Sequence, residues 1–88
     1  MHAVVVRVTI SDQEVAQRHL EEQVVPGMSQ APGFVAGYWT RKDDNSGLAM
    51  VIFESEDAAE AMRERAPSMT PDEVTIEDIE VREVVAHA

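Results

Sequence analysis

The side chains able to do chemistry on a small molecule are scattered along this sequence rather than gathered in a motif. His19 is the only histidine away from the termini. It is therefore the best candidate for a general base, a role suited to a group that titrates near neutrality. The plainer reading places His19 at the edge of a helix stripe, half-exposed and structural. His19 and Glu22 stand three apart, a spacing at which a helix can present two metal ligands. No third ligand accompanies them, so no metal site is expected. Trp39 could stack a flat aromatic compound and orient a carbonyl through its indole N–H, or could fill a core or interface. Tyr38 is adjacent, so on a strand the two rings point to opposite faces. Arg7 and Arg41 could each hold a carboxylate or phenolate, or pair with a carboxylate on a neighbouring strand or protomer. Met28, Met50, Met62 and Met69 could line an adaptable pocket or fill a core. The chain carries no phosphate-binding glycine loop, nucleophile elbow or zinc motif.

These residues must be positioned by a single domain, residues 1–88. A chain of this length buries only about 60–65% of its unfolded surface. With no cysteine, it has neither disulfides nor thiolate metal sites to help. Association between copies is the remaining common route to stability. Net charge is −10, and 11 of the 17 acidic residues lie between Glu54 and Glu83. Such a surface repels phosphate backbones and anionic lipid, so no nucleic acid or membrane partner is expected. Its simplest role is solubility, with an acidic docking face for a basic partner as the alternative. The longest apolar run, Ala3 to Val6, is too short to span a bilayer and lacks a basic leader, so a cytoplasmic location is expected.

The local patterns predict six elements. Val4, Val6, Val8 and Ile10 share one face of a strand over Ala3–Ile10; Ala3, Val5, Arg7 and Thr9 share the other. Ser11 and Glu14 form a capping box, stapled by Ile10 and Val15, for a helix whose buried stripe is Ala16, Leu20 and Val24. Pro26-Gly27 is expected to weaken or end it. A second strand covers Phe34–Arg41, with Phe34, Ala36, Tyr38 and Thr40 on one face and Val35, Gly37, Trp39 and Arg41 on the other. Gly37 predicts a bulge or a close approach by another group. A hairpin loop over Asp43–Gly47 leads to a strand over Leu48–Phe53. Ser55 caps a helix with Ala58, Ala59, Met62 and Ala66 on its inner face, stopped by Pro67. In the final strand, Val74–Val85, the apolar phase slips between Ile76 and Ile79. That predicts a bulge near Glu77-Asp78, or a strand crossing to a neighbouring sheet.

The order β-α-β-β-α-β is the ferredoxin-like pattern: an α+β fold with a four-stranded antiparallel sheet and two helices on one face. Pro32-Gly33-Phe34 with Gly37-Tyr38, and the passage Val51-Ile52-Phe53-Glu54-Ser55-Glu56-Asp57-Ala58-Ala59, resemble the dimeric α+β barrel superfamily near its antibiotic-biosynthesis-monooxygenase-like group. The resemblance implies a homodimer in which two sheets close one barrel across a twofold axis, with a cavity between sheet and helices in each protomer. It also implies a range of activities: cofactor-independent oxidation of phenolic polyketides, haem degradation, isomerisation or lactone chemistry, and simple ligand binding. Many relatives carry Trp where this chain has Phe53. Haem degradation there uses an Asn, Trp and His set, and the only Asn here is Asn45, in a loop. On this resemblance the chain is expected to bind a small aromatic or polyketide-like molecule. It would use no cofactor, with His19 as base, Trp39, Tyr38 and Phe53 holding the ring, and Arg41 the anion. The alternative is a non-catalytic dimeric module whose core is filled by its own side chains.

Overall fold

A computed structural model describes Met1–Ala88. The strands are β1 (His2–Ile10), β2 (Phe34–Asp43), β3 (Ser46–Phe53) and β4 (Val74–Glu83). They form one antiparallel sheet in the order β2-β3-β1-β4. The helical segments are α1 (Gln13–His19), a π-helical turn (Leu20–Val24), α2 (Val25–Ser29) and α3 (Glu56–Met69). The ferredoxin-like order and the antiparallel sheet are thus as the sequence implied. No helix is long and apolar enough to cross a membrane.

The core sits under α3. Val4, Val51 and Phe53 on the sheet, Ala59 and Met62 on α3, and Met28 on α2 form one buried cluster. Ala59 has no exposed surface, and a methyl side chain there lets α3 lie close against the strands. Phe34 and Phe53 meet edge to face, with ring centroids 6.3 Å apart. Ser55 caps α3 by accepting from the Ala58 N–H at 3.1 Å.

The slip of phase in β4 is a bulge. Arg7 pairs with Asp78 while Val8 pairs with Ile76, leaving Glu77 as the extra residue. Ile79 and Val81 thereby share the inner face with Val74 and Ile76. The strand stays in its own sheet, and the Val84 N–H donates to the Met1 carbonyl at 3.0 Å beyond its end.

Several local expectations are corrected. The first helix is capped by Asp12, whose Oδ1 accepts from the Val15 N–H at 3.2 Å. Ser11 instead donates its backbone N–H and its hydroxyl to the Glu73 carbonyl, so the Ser11–Glu14 box does not form. Pro26 does not end the helix. The Val25 N–H reaches back five residues to the Leu20 carbonyl, and this wider turn relieves the clash a proline ring makes in a regular helix. Pro67 lies inside α3, which continues to Met69. So near the end the ring removes one donor, while Ser68 and Thr70 hydroxyls satisfy the Arg65 and Ala66 carbonyls. A bulge at Val35 turns Phe34 to the same face as Trp39, not the face of Tyr38. The hairpin strands run further than expected and leave only Asp44-Asn45 between them. His2 is half-buried, with its Nε2 3.7 Å from Glu56 Oε2.

Because Asp12 supplies the cap, Asp12→Ala should cost about 1 kcal/mol in urea unfolding, more than Ser11→Ala. The reverse order would restore Ser11 as the cap.

Candidate binding cavity

Helix α1 does not press onto the sheet as α3 does. No residue of α1 or of the π-helical turn is fully buried. The apolar stripe read from the sequence, Ala16, Leu20 and Val24, is only half-buried and faces a cavity of about 180 Å³. The floor is the far end of the sheet's inner face, including Val8, Ile10, Ala49 and Val74. The end of α3 closes one side with Met69 and Thr70. Fifteen of the 22 lining residues are hydrophobic, so the few polar groups present must set any orientation of a guest. Those reaching it on long side chains are Gln13, Gln17 and Arg41.

Trp39 and Arg41 share the inner face of β2 and both line this cavity. The Trp39 ring folds back over Gly37. A side-chain carbon at Gly37 would fall 2.6 Å from Trp39 Cη2 and 2.7 Å from Cζ3, closer than carbon atoms approach. The predicted close approach at Gly37 is therefore the indole itself, and it can lie flat on the strand only because the position has no side chain. The sequence alone left open which face of β2 would carry a pocket; the inner one does.

The end of β2 is fixed by its turn. Asp43 Oδ1 accepts from the Asn45 N–H at 2.9 Å and the Ser46 hydroxyl at 3.0 Å. The Asn45 amide, assisted by Ser46, holds the Asp43 carboxyl below the usual carboxylate range. Asn45 also docks on β1: its carbonyl accepts from the Ile10 N–H at 2.7 Å and its side chain donates to the Ile10 carbonyl at 3.2 Å. Asn45 is thus committed to structure, and so is the Asp43 carboxylate two residues from Arg41.

The other candidates lie elsewhere. His19 does not line the cavity; its Nδ1–H donates to the Glu73 carboxylate. This bond joins α1 to the segment entering β4, beside the Ser11 bonds to the Glu73 carbonyl. A base must come within about 3.2 Å of the proton it removes, directly or through one water, and His19 stands behind the wall. Phe53 is wholly buried in the α3 cluster, and Tyr38 is 63% exposed on the opposite face of the sheet. The structure therefore brings Trp39 and Arg41 together at one cavity and leaves His19, Phe53 and Tyr38 off it. Gln13, Gln17 and Glu73 were not foreseen as functional. Gln13 and Gln17 flank the apolar stripe in the sequence, which was the available signal; Glu73, 54 residues from His19, gave none.

No protein-family model matches the chain, and no curated protein matches its sequence. Its fold matches the crystal structure of SnoaB, a cofactor-independent oxygenase from Streptomyces nogalater. The TM-score is 0.74 at 18% sequence identity, over 98% of this chain and 94% of that one. The chain thus shares its fold with SnoaB over nearly the whole of both chains.

Gly37→Ala should displace the Trp39 ring and lower stability by about 1–3 kcal/mol in urea unfolding. Trp39 is the only tryptophan, so its single indole N–H resonance should shift as well. A variant with both midpoint and resonance unchanged would show the ring free of Gly37.

Proposed function

We propose that this chain is a homodimeric small-molecule-binding protein, with a flat, largely apolar guest held in each protomer between the sheet and α1. The carrying observation is the cavity beside Trp39 and Arg41, left open where α1 stands off the sheet. An apolar cavity of about 150 Å³ holds one benzene ring. A space of about 180 Å³ suits one ring or two fused rings. Trp39 would stack the guest, Arg41 would bind its polar group, and Gln13 and Gln17 would offer neutral hydrogen bonds. A core filled by its own side chains accounts poorly for this space. In this reading His19 is a positioning residue that, with Glu73, fixes α1 over the cavity.

The second reading is cofactor-free oxygenation of the guest, and the likeness to SnoaB favours it. A substrate that has lost a proton would give its electrons to molecular oxygen, and the protein would contribute a dry, shaped enclosure.

The uncovered face of the sheet supports the homodimer. Tyr38, Leu48 and Met50 are 63%, 44% and 41% exposed there, with Val5 and Ile52 half-buried between them. An antiparallel sheet can leave one face in water when that face is polar, and this one carries an apolar patch beside the polar Arg7, Thr40 and Glu80. A second copy packed face to face covers both sheets at once, as an isologous interface of about 2,000 Å² or more.

Titrating the 15N-labelled protein with 2-naphthol and with its anionic analogue 2-naphthoate should, with at least one of them, move the Trp39 indole resonance and the amides of Gln17, Gly47 and Ala49. Unmoved resonances at millimolar ligand would refute the binding site, while oxygen uptake on adding an oxidisable phenol separates enzyme from binder. In sedimentation at micromolar concentration the protein should be a dimer, and Met50→Glu combined with Leu48→Glu should make it monomeric. A monomeric parent protein would end the dimer proposal.

A further inference from the structure

The cavity wall is nearly free of charge in a protein that has 17 acidic residues and three histidines. None of those 20 groups lines it. What faces the guest from α1 is Gln13 and Gln17, from the end of α3 Thr70 and Pro71, and from β4 Val74 and Ile76. Arg41 is the one ionised side chain in the lining, and it takes part in none of the protein's ion pairs. Its charged sequence neighbours are Lys42, Asp43 and Asp44 on the hairpin. Asp43 is turned to Asn45 and Ser46, so it does not neutralise Arg41.

A wall without carboxylate or imidazole has no side chain to take a proton from a neutral guest. It does have a permanently charged, unpaired guanidinium, part of a solvent-exposed residue at the edge of an apolar space, where attraction for an anion is stronger than in open water. We infer that the cavity selects a guest that arrives already ionised: an oxyanion, such as a carboxylate or an acidic phenolate or enolate, on a flat apolar frame, with its negative group at Arg41. This rests on the binding site proposed above and names the charge state of its ligand. Any proton loss required for oxygenation would then occur in water before binding, and the pH dependence of binding would follow the ligand.

The probe is 4-nitrophenol, whose ionisation is visible in its absorbance and can be titrated free and protein-bound. The bound phenol should ionise at a pH about one unit lower than the free one, an approximately tenfold preference for the anion. Arg41→Gln should abolish the difference, and Arg41→Lys should retain part of it, since a point charge replaces the fork. Amide spectra of both variants establish that they are folded. If the phenol moves the Trp39 indole resonance but ionises at the free or a higher pH, the inference fails and the binding site stands. If the difference survives Arg41→Gln, the assignment to Arg41 is overturned. If neither form of the phenol moves the indole resonance, the binding site itself fails and the inference falls with it.

Discussion

The packing of α3 onto the sheet through Ala59 is the contact on which the rest of this structure depends. A methyl side chain with no exposed surface lets the helix backbone come down onto Val4, Val51 and Phe53. That end of the inner face is covered by α3. The same sheet continues under α1 through Val8, Ile10 and Ala49, but there the covering residues are Ala16, Leu20 and Val24, and none of them is fully buried. One face of one sheet therefore has a close-packed half and an open half. The open half is the cavity, and its apolar wall is the continuation of the core pattern.

The gap must be held open against collapse, because an apolar void gains nothing by persisting on its own. Four fixed points frame it. The π-helical turn carries the chain past Pro26 into α2, which anchors the helix at Met28 in the core. The Asp12 cap and the Ser11 bonds to Glu73 set the other end of α1. The His19–Glu73 bond braces its flank against the entry to β4. Across the cavity, Asn45 ties the β2–β3 turn to the last residue of β1. These bonds are local and directional, whereas the hydrophobic effect that would close the gap is neither.

Much of the architecture was legible in the residues, because period-two alternation and helix caps are local signals. The slipped phase between Ile76 and Ile79 announced the bulge at Glu77, Ser55 announced its helix, and Gly37 announced the close approach that proved to be Trp39. The failures came where a local rule met a second constraint. Asp12 outcompeted Ser11 for the cap once Ser11 was engaged by Glu73, a partner 62 residues away. Pro26 was passed because one π turn changed the hydrogen-bond register, and a bulge at Val35 reversed the face of Phe34. For the site, the sequence offered Trp39 and Arg41 among five candidates, and the fold brings these two together on one face of β2. It also offered His19, Tyr38 and Phe53 on the strength of residue type. Those three part company with the cavity through features of the fold: a hydrogen-bond partner in the segment entering β4, the parity of β2, and the seat of α3.

The side chains of α1 and the π-helical turn carry a pattern that follows the cavity. The outer face of these two segments bears Glu14, Arg18, Glu21 and Glu22, as a solvated helix does. The positions flanking the apolar stripe on the cavity side are Gln13 and Gln17, amides of similar length to those charged residues but without their field. A carboxylate at either would sit in the same enclosure as Arg41 and compete for it. The hydrogen bond from Gln17 Nε2 to Glu21 Oε1, 2.9 Å long, instead engages a carboxylate one turn along the helix, outside the cavity lining. In a chain with ten more acidic than basic residues, a wall this free of negative charge leaves one guanidinium to dominate the local potential. The apolar packing and the low charge of this wall thus arise from the same choice of residues on α1, while the guanidinium comes from β2.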